Sequence, residues 1–163
     1  MSTSAVSFIE QRAQILAMVQ FTSRSDLQVI DFPEDSELNL LVRVLSGNKG
    51  DQKFFGVRLK GTRQLLSSPD EAARHLRPLY RKKANQPLPK YGFPVVVLLF
   101  SMQNDRGFYS WQIEPIIDQT KEPRLKVHDT FSCSVFDRAS LDSIVKKVND
   151  FSVGGGRHGD GSE

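Results

Sequence analysis

Phe93-Pro94-Val95-Val96-Val97-Leu98-Leu99-Phe100 is the segment that most restricts how this chain folds. A short run of β-branched and aliphatic residues without polar alternation fits a strand covered on both faces. A sheet built around such a strand needs a layer on each side, so the rest of the chain must supply amphipathic helices. The run is also the longest apolar stretch, far short of the ~20 residues a membrane-spanning helix needs. No membrane partner is expected.

The flanking sequence supplies those layers. Residues 7 to 22 read as an amphipathic helix, with Phe8, Ile15 and Val19, and Ile9 and Leu16 nearby, on a broad apolar stripe. Ser7 stands where an N-cap would, with Glu10 at the capping-box position. Asp26 to Phe32, closed by Pro33, reads as a strand. Glu37 to Leu45 and Gln52 to Thr62 read as two more, joined as a hairpin through Gly47-Asn48-Lys49-Gly50. Ser68-Pro69-Asp70-Glu71 opens a second helix that runs to about Ala84 unless Pro78 ends or kinks it.

After the apolar strand, Asn104-Asp105-Arg106-Gly107 turns the chain into an alternating strand, Phe108 to Ile113. Pro115 to Glu122 reads as a connection, Leu125 to Val135 as a last strand, and Arg138 to Phe151 as a closing amphipathic helix. Residues 1–6 read as a flexible start and the Gly-rich 152–163 as a solvated tail. The order α-β-β-β-α-β-β-(β)-α predicts one domain over 7–151, a mixed central sheet flanked by helices, of α/β class with α+β left open.

Composition removes several chemistries. With Cys133 alone there is no internal disulfide and no multi-cysteine zinc site, and three histidines (His75, His128, His158) leave little for a histidine-built metal centre. Cys133 lies in an alternating apolar segment and reads as a small core residue rather than a nucleophile. The first residues carry no basic stretch followed by an apolar one, so a reduced, cytoplasmic protein is expected. The net charge of +3 and pI of about 9.1 allow a nucleic-acid partner without demanding one.

Two strand segments carry polar residues where burial is expected: Asp35-Ser36-Glu37-Leu38-Asn39, and Phe55-Gly56-Val57-Arg58-Leu59-Lys60-Gly61-Thr62. Arg58 and Lys60 are two apart, so they leave the same face of a strand, and a hairpin would set Asn39 beside them. The ordered set (a helix bearing Glu10, an acidic strand start, a hairpin, then x-x-Lys) resembles the restriction-endonuclease-like PD-(D/E)XK superfamily. Within it, the likeness is to small bacterial domains of uncharacterised role with D-x-G-x-D followed by V-Q-x-K. Tyr109-Ser110-Trp111 and the helix over Leu141–Phe151 sit where those domains carry a Trp-containing strand and a C-terminal helix. The likeness covers most of residues 8 to 151.

What the resemblance implies is metal-dependent phosphodiester hydrolysis. Carboxylates hold Mg²⁺, which activates water, while a lysine orients the water or neutralises the phosphate. On that alignment the glycine of D-x-G-x-D falls on Glu37, the metal-binding Asp on Asn39, the Gln/Glu position on Arg58 and the lysine on Lys60. Two of these strike at the metal. A neutral amide is a poor ligand for a hard dication, and Arg58 sets a cation at a ligand position. The expectation is a nuclease fold whose catalytic centre is impaired, with no cofactor. The alternative is an active Mg²⁺-dependent DNA endonuclease in which Glu10 and Glu37 hold the metal and Lys60 acts.

A second feature is the basic run Arg74, Arg77, Arg81, Lys82, Lys83 and Lys90, interleaved with Tyr80 and Tyr91. The arginines recur at helical spacing on one face, which suits sequence-independent contact with a phosphate backbone. Plainer readings stand beside both features. The basic run fits a solvated helix, Arg58 and Lys60 a charged edge strand, Glu10 a helix cap, and Tyr109 and Trp111 the core. Three functions therefore stand open. The first is an impaired nuclease fold that binds nucleic acid or a protein, for which the resemblance implies a setting in bacterial defence or a mobile element. The second is an active nuclease. The third is an interaction subunit with a protein partner or a second copy of itself.

Overall fold

The computed structural model of the chain describes residues 3–32, 37–45, 53–81, 91–117 and 122–155. Its elements run α1 (Thr3–Thr22), β1 (Leu27–Asp31), β2 (Leu40–Val44), β3 (Lys53–Thr62), α2 (Pro69–Arg81), β4 (Val95–Ser101), β5 (Gly107–Ile117), β6 (Pro123–Val127), β7 (Ser134–Phe136) and α3 (Arg138–Gly155). One mixed sheet holds every strand in the order β1-β2-β3-β4-β5-β6, with β7 also paired to β5. Among the described strands only β3 and β4 are parallel neighbours, and α2 lies in the crossover between them. The other neighbouring pairs are antiparallel.

The apolar run forms β4 at the centre, and every residue of it is buried. Its alternation feeds two layers. Val96, Leu98 and Phe100 join Phe55, Val57 and Leu59 of β3 under α1 and α3. Val97 and Leu99 join Phe108 under Ala72 and Leu76 of α2. The fold is thus three-layered, with α1 and α3 on one face and α2 on the other, an α/β arrangement of the expected class.

Two helix starts follow from local chemistry. Ser68 Oγ accepts the Glu71 N–H at 3.2 Å, and Glu71 Oε2 accepts the Ser67 N–H at 3.2 Å, so α2 opens on a reciprocal cap. At α3, Asp137 Oδ1 accepts the Ser140 N–H at 2.9 Å and Ser140 Oγ accepts the Asp137 N–H at 2.8 Å. Helix α2 continues through Pro78 to Arg81, so the proline does not end it.

Several expectations are corrected. Helix α1 begins at Thr3, so Ser7 is not its N-cap and Glu10 closes no capping box. The residues that α1 turns to the core are Ala13, Ala17 and Phe21, small enough at two positions for close approach to the sheet. Phe8, Ile15 and Val19 face outward at 60, 61 and 63% exposure. Pro115 lies inside β5, which runs on to Ile117. The Val95↔Ile113 pair is the last between β4 and β5, and the Gln112 carbonyl accepts the His128 N–H on the β6 side. Residues 113, 115 and 117 therefore turn their backbone groups toward the vacated β4 side, where a proline lacking an N–H breaks no ladder bond. The expected last strand is two, β6 and β7, which pair with separate stretches of β5. The turn at 47–50, the residues of α2's expected extension beyond Arg81, and residues 156–163 lie outside the described residues.

Candidate functional site

The geometry of β2 and β3 creates a notch. Their pairing stops at Leu40↔Val57, yet β3 continues to Thr62, so its last residues have no strand on the β2 side among the described residues. Asn39 bridges the step. Its backbone N–H donates to Val57 O at 2.8 Å, and its Oδ1 accepts the Leu59 N–H at 2.7 Å. The amide thus stands in for one missing rung of the ladder.

Arg58 and Lys60 leave β3 on the face that carries α2, opposite the one covered by α1 and α3. Both are half-buried. β3 lies between β2 and β4 only as far as Val57. Beyond it Arg58 and Lys60 have β4 on one side and, among the described residues, no strand on the other, so the edge-strand reading holds locally, with the two side chains half-buried in place of solvated. The pairing to β4 also places Arg58 beside Val97 and Lys60 beside Leu99. Burial first, and then the charge of Arg58, hold the Lys60 amine below its usual range, while Glu10 on α1 pulls the other way. Glu10 is therefore felt at Lys60 across the end of the sheet.

A β-bulge completes the arrangement. Val96 pairs with Trp111 and Val95 with Ile113, leaving Gln112 as the extra residue on β5. Gln112 is 1% exposed, and its Oε1 accepts from Arg58 Nη1 at 3.3 Å. Its Nε2 is buried with no hydrogen-bond partner among the described residues. On the near side, Tyr91 donates its hydroxyl to Glu37 Oε2 at 3.2 Å. Burial and then the Glu37 charge push the Tyr91 hydroxyl above its usual range.

Of the residues expected at a catalytic centre, Asn39, Arg58 and Lys60 share one strand end. Glu10 acts on Lys60, and the Arg58 charge is felt at Tyr91, the partner of Glu37. Gln112 and Tyr91 join the site without a sequence signal for it. Tyr91 appears in the sequence only as an aromatic among basic residues, and nothing in Phe108-Tyr109-Ser110-Trp111-Gln112-Ile113 announces a bulge. Among the described residues no group of three His, Cys, Asp or Glu side chains is gathered to hold a metal ion.

The basic run is placed in part. Arg74 and Arg77 are exposed on α2 and line a hollow of about 390 Å³ with Asp70, Ala73, Ser132 and Cys133. Arg81 is the last described residue of α2, its side chain undescribed, and Lys82, Lys83 and Lys90 lie outside the described residues. Cys133 is half-buried against the α2-side core, where burial pushes its thiol up to about 11, well away from a nucleophile's range. Tyr109 and Trp111 pack against the core under α3, as expected.

Neither a protein-family model nor a curated protein matches the chain. No helix among the described residues is long and apolar enough to cross a membrane.

A further polar cluster lies at the β5–α3 seam. Glu114 accepts from His128 Nε2 at 2.8 Å and from the Lys147 ammonium, and Lys147 also lies 5.9 Å from the centre of the Trp111 ring. Burial works to raise the Glu114 carboxyl, and the hydrogen bonds from Lys147 and His128 overcome it, leaving it below its usual range. The cluster ties α3 to the sheet and shares no residue with the notch.

Proposed function

We propose that this chain is a nuclease-fold domain that binds nucleic-acid phosphate without cutting it. The observation that carries the reading is the pair of half-buried cations, Arg58 and Lys60, at the strand end where the resemblance to PD-(D/E)XK nucleases would set a metal and its carboxylates. The oxygens nearby support it. Asn39 Oδ1 is engaged by the Leu59 N–H and Gln112 Oε1 by Arg58. Two cations flanked by amides already committed to donors suit a phosphate better than a dication. Arg74 and Arg77, exposed on α2, add two further cations on the same face of the sheet. Nothing in this arrangement reads base edges, so the binding is sequence-independent.

The test is a labelled DNA duplex titrated with the full chain over a salt series, with and without Mg²⁺ or Mn²⁺. Salt-sensitive binding without cleavage is expected, and Lys60→Ala weakens it. Arg74→Glu with Arg77→Glu weakens it further and reduces the slope against log salt by about 1 for each phosphate no longer neutralised. Metal-dependent cleavage abolished by Lys60→Ala would sink the reading in favour of an active endonuclease. Absence of binding at low salt would leave a protein-binding role for the same cations.

A further inference from the structure

Another hollow lies between α2 and the segment that leads into it from β3. It measures about 720 Å³, with Leu65 and Leu66 on one wall and Glu71, Arg74, His75 and Pro78 of α2 on the other. Residues 63–68 are neither helix nor strand, yet their carbonyls are fixed. Ser101 Oγ donates to Gln64 O at 2.7 Å, Asn104 Nδ2 to Leu66 O at 3.3 Å and Arg106 Nη1 to Ser67 O at 3.2 Å. The wall is built before any ligand arrives, which lowers the ordering cost of binding. Leu66 is buried in the α2-side core, while Leu65 turns outward at 57% exposure.

The charges in the hollow do not pair. Glu71 and Arg74 stand about one helical turn apart, a spacing at which opposite charges ordinarily meet. Glu71 instead turns its Oε2 back to the Ser67 N–H at 3.2 Å, and Arg74 spends its Nε on Asp70 O at 3.5 Å. Glu71 Oε1 and the two terminal nitrogens of Arg74 have no hydrogen-bond partner among the described residues. Burial pushes the His75 imidazole below its usual range, so it is uncharged near neutrality. One carboxylate and one guanidinium are then the charges that line the hollow.

We propose that this hollow binds a free α-amino acid with a large apolar side chain. Arg74 takes the carboxylate, Glu71 the ammonium group, and Leu65, Leu66 and Pro78 the side chain. Charge selects this occupant. A phosphate or other simple anion would sit against Glu71, and a simple amine against Arg74. An uncharged apolar molecule, or the interior of a peptide, would face both charges and satisfy neither. A molecule with both signs attached to one carbon, beside an apolar body, matches the carboxylate, the guanidinium and the leucines together. The hollow uses neither Arg58 nor Lys60, so amino-acid binding there does not depend on phosphate binding at β3.

The test is isothermal titration of the full chain with L-phenylalanine and L-leucine, each beside its amide and its N-acetyl derivative. The amide lacks the carboxylate and the N-acetyl derivative lacks the ammonium group. At least one of the two amino acids should bind, and each of its derivatives should bind at least about tenfold more weakly, the scale of one hydrogen bond to a charged group. Arg74→Gln should weaken the amino acid to the level of its amide, and Glu71→Gln to the level of its N-acetyl derivative. Glu71→Gln keeps an oxygen for the Ser67 N–H, so circular dichroism should be unchanged. A chain that binds neither amino acid overturns the proposal. So does a derivative that binds as tightly as its amino acid, or binding that either variant leaves unchanged.

Discussion

Replacing Asn39 separates its structural part from any part in ligand binding. The Asn39 N–H to Val57 O bond (2.8 Å) and the Phe32 N–H to Asn39 O bond (3.2 Å) use only backbone atoms and survive any side-chain change except proline. Asn39→Ala therefore deletes one interaction, the 2.7 Å bond from the Leu59 N–H to Oδ1. Leu59 is 5% exposed, so the abandoned donor is poorly reached by water. A buried donor left unsatisfied costs about 1–3 kcal/mol. A loss of ~2 kcal/mol lowers Tm by roughly 4–8 °C for a chain of this size.

Asn39→Asp gives the opposite result. One carboxylate oxygen keeps the Leu59 bond, now charge-assisted, and the charge adds attraction toward Arg58 and Lys60. Its stability at neutral pH should equal or exceed that of the parent chain. Urea denaturation of all three proteins reads the outcome. If Asn39→Ala is silent, the amide is not replacing a ladder rung. If Asn39→Asp is as damaging as Asn39→Ala, the cations of β3 do not act at that position, and the alignment of Asn39 with a metal-binding aspartate falls with them.

Glu114→Gln should cost about 1.5–3 kcal/mol near neutrality, since it removes a charged acceptor of two hydrogen bonds whose side chain is 17% exposed. The carboxyl is held below its unfolded value, so its stabilisation is present above that value and lost as pH falls through the lower, folded one. Denaturation curves of the two proteins should converge in acid, and a constant gap at every pH would refute the linkage. At Gly61 an added Cβ would sit 2.5 Å from Ile9 Cγ2 and 3.2 Å from Ile9 O, and the backbone oxygen cannot rotate away as the side chain can. Gly61→Val should therefore destabilise by about 1–3 kcal/mol and push α1 off β3, read as a lower Tm together with faster amide exchange in α1.

What is legible in the sequence is local. The β4 run, the capped start of α2 at Ser68, the β2–β3 hairpin and the placement of Asn39 beside β3 all follow from neighbours in sequence. The orientation of α1 does not. Ala13, Ala17 and Phe21 carry less apolar surface than the Phe8–Ile15–Val19 side, so periodicity favours the face that is in fact outside. How closely the helix backbone approaches Gly61 decides which face is buried, and that is a tertiary matter. The bulge at Gln112 is equally hidden, because Ser110-Trp111-Gln112-Ile113 alternates as any half-buried strand would. It emerges only from the register against Val95 and Val96. Pro115 misleads for a related reason, since its tolerance depends on where β4 stops.

The notch poses a question of order: which residue would have to be replaced first for a dication to be held there. A carboxylate placed at 39 keeps one of its oxygens engaged by the Leu59 N–H, so it offers a single oxygen to a metal. Gln112 Oε1 stays engaged for as long as position 58 presents a guanidinium. Two cations about 4 Å apart repel by about 4 kcal/mol at an effective dielectric of 20, and a dication doubles that, so any metal approaching Arg58 at such a distance meets a cost that one added carboxylate only offsets. Arg58 is therefore the residue that decides. Arg58→Gln alone should release Gln112 Oε1 and raise no metal affinity, and Asn39→Asp alone should pair with the β3 cations. Only the two together would make a site that calorimetry with Mn²⁺ could detect, and heat from either single variant would show that the oxygens near β3 are less committed than their hydrogen bonds imply.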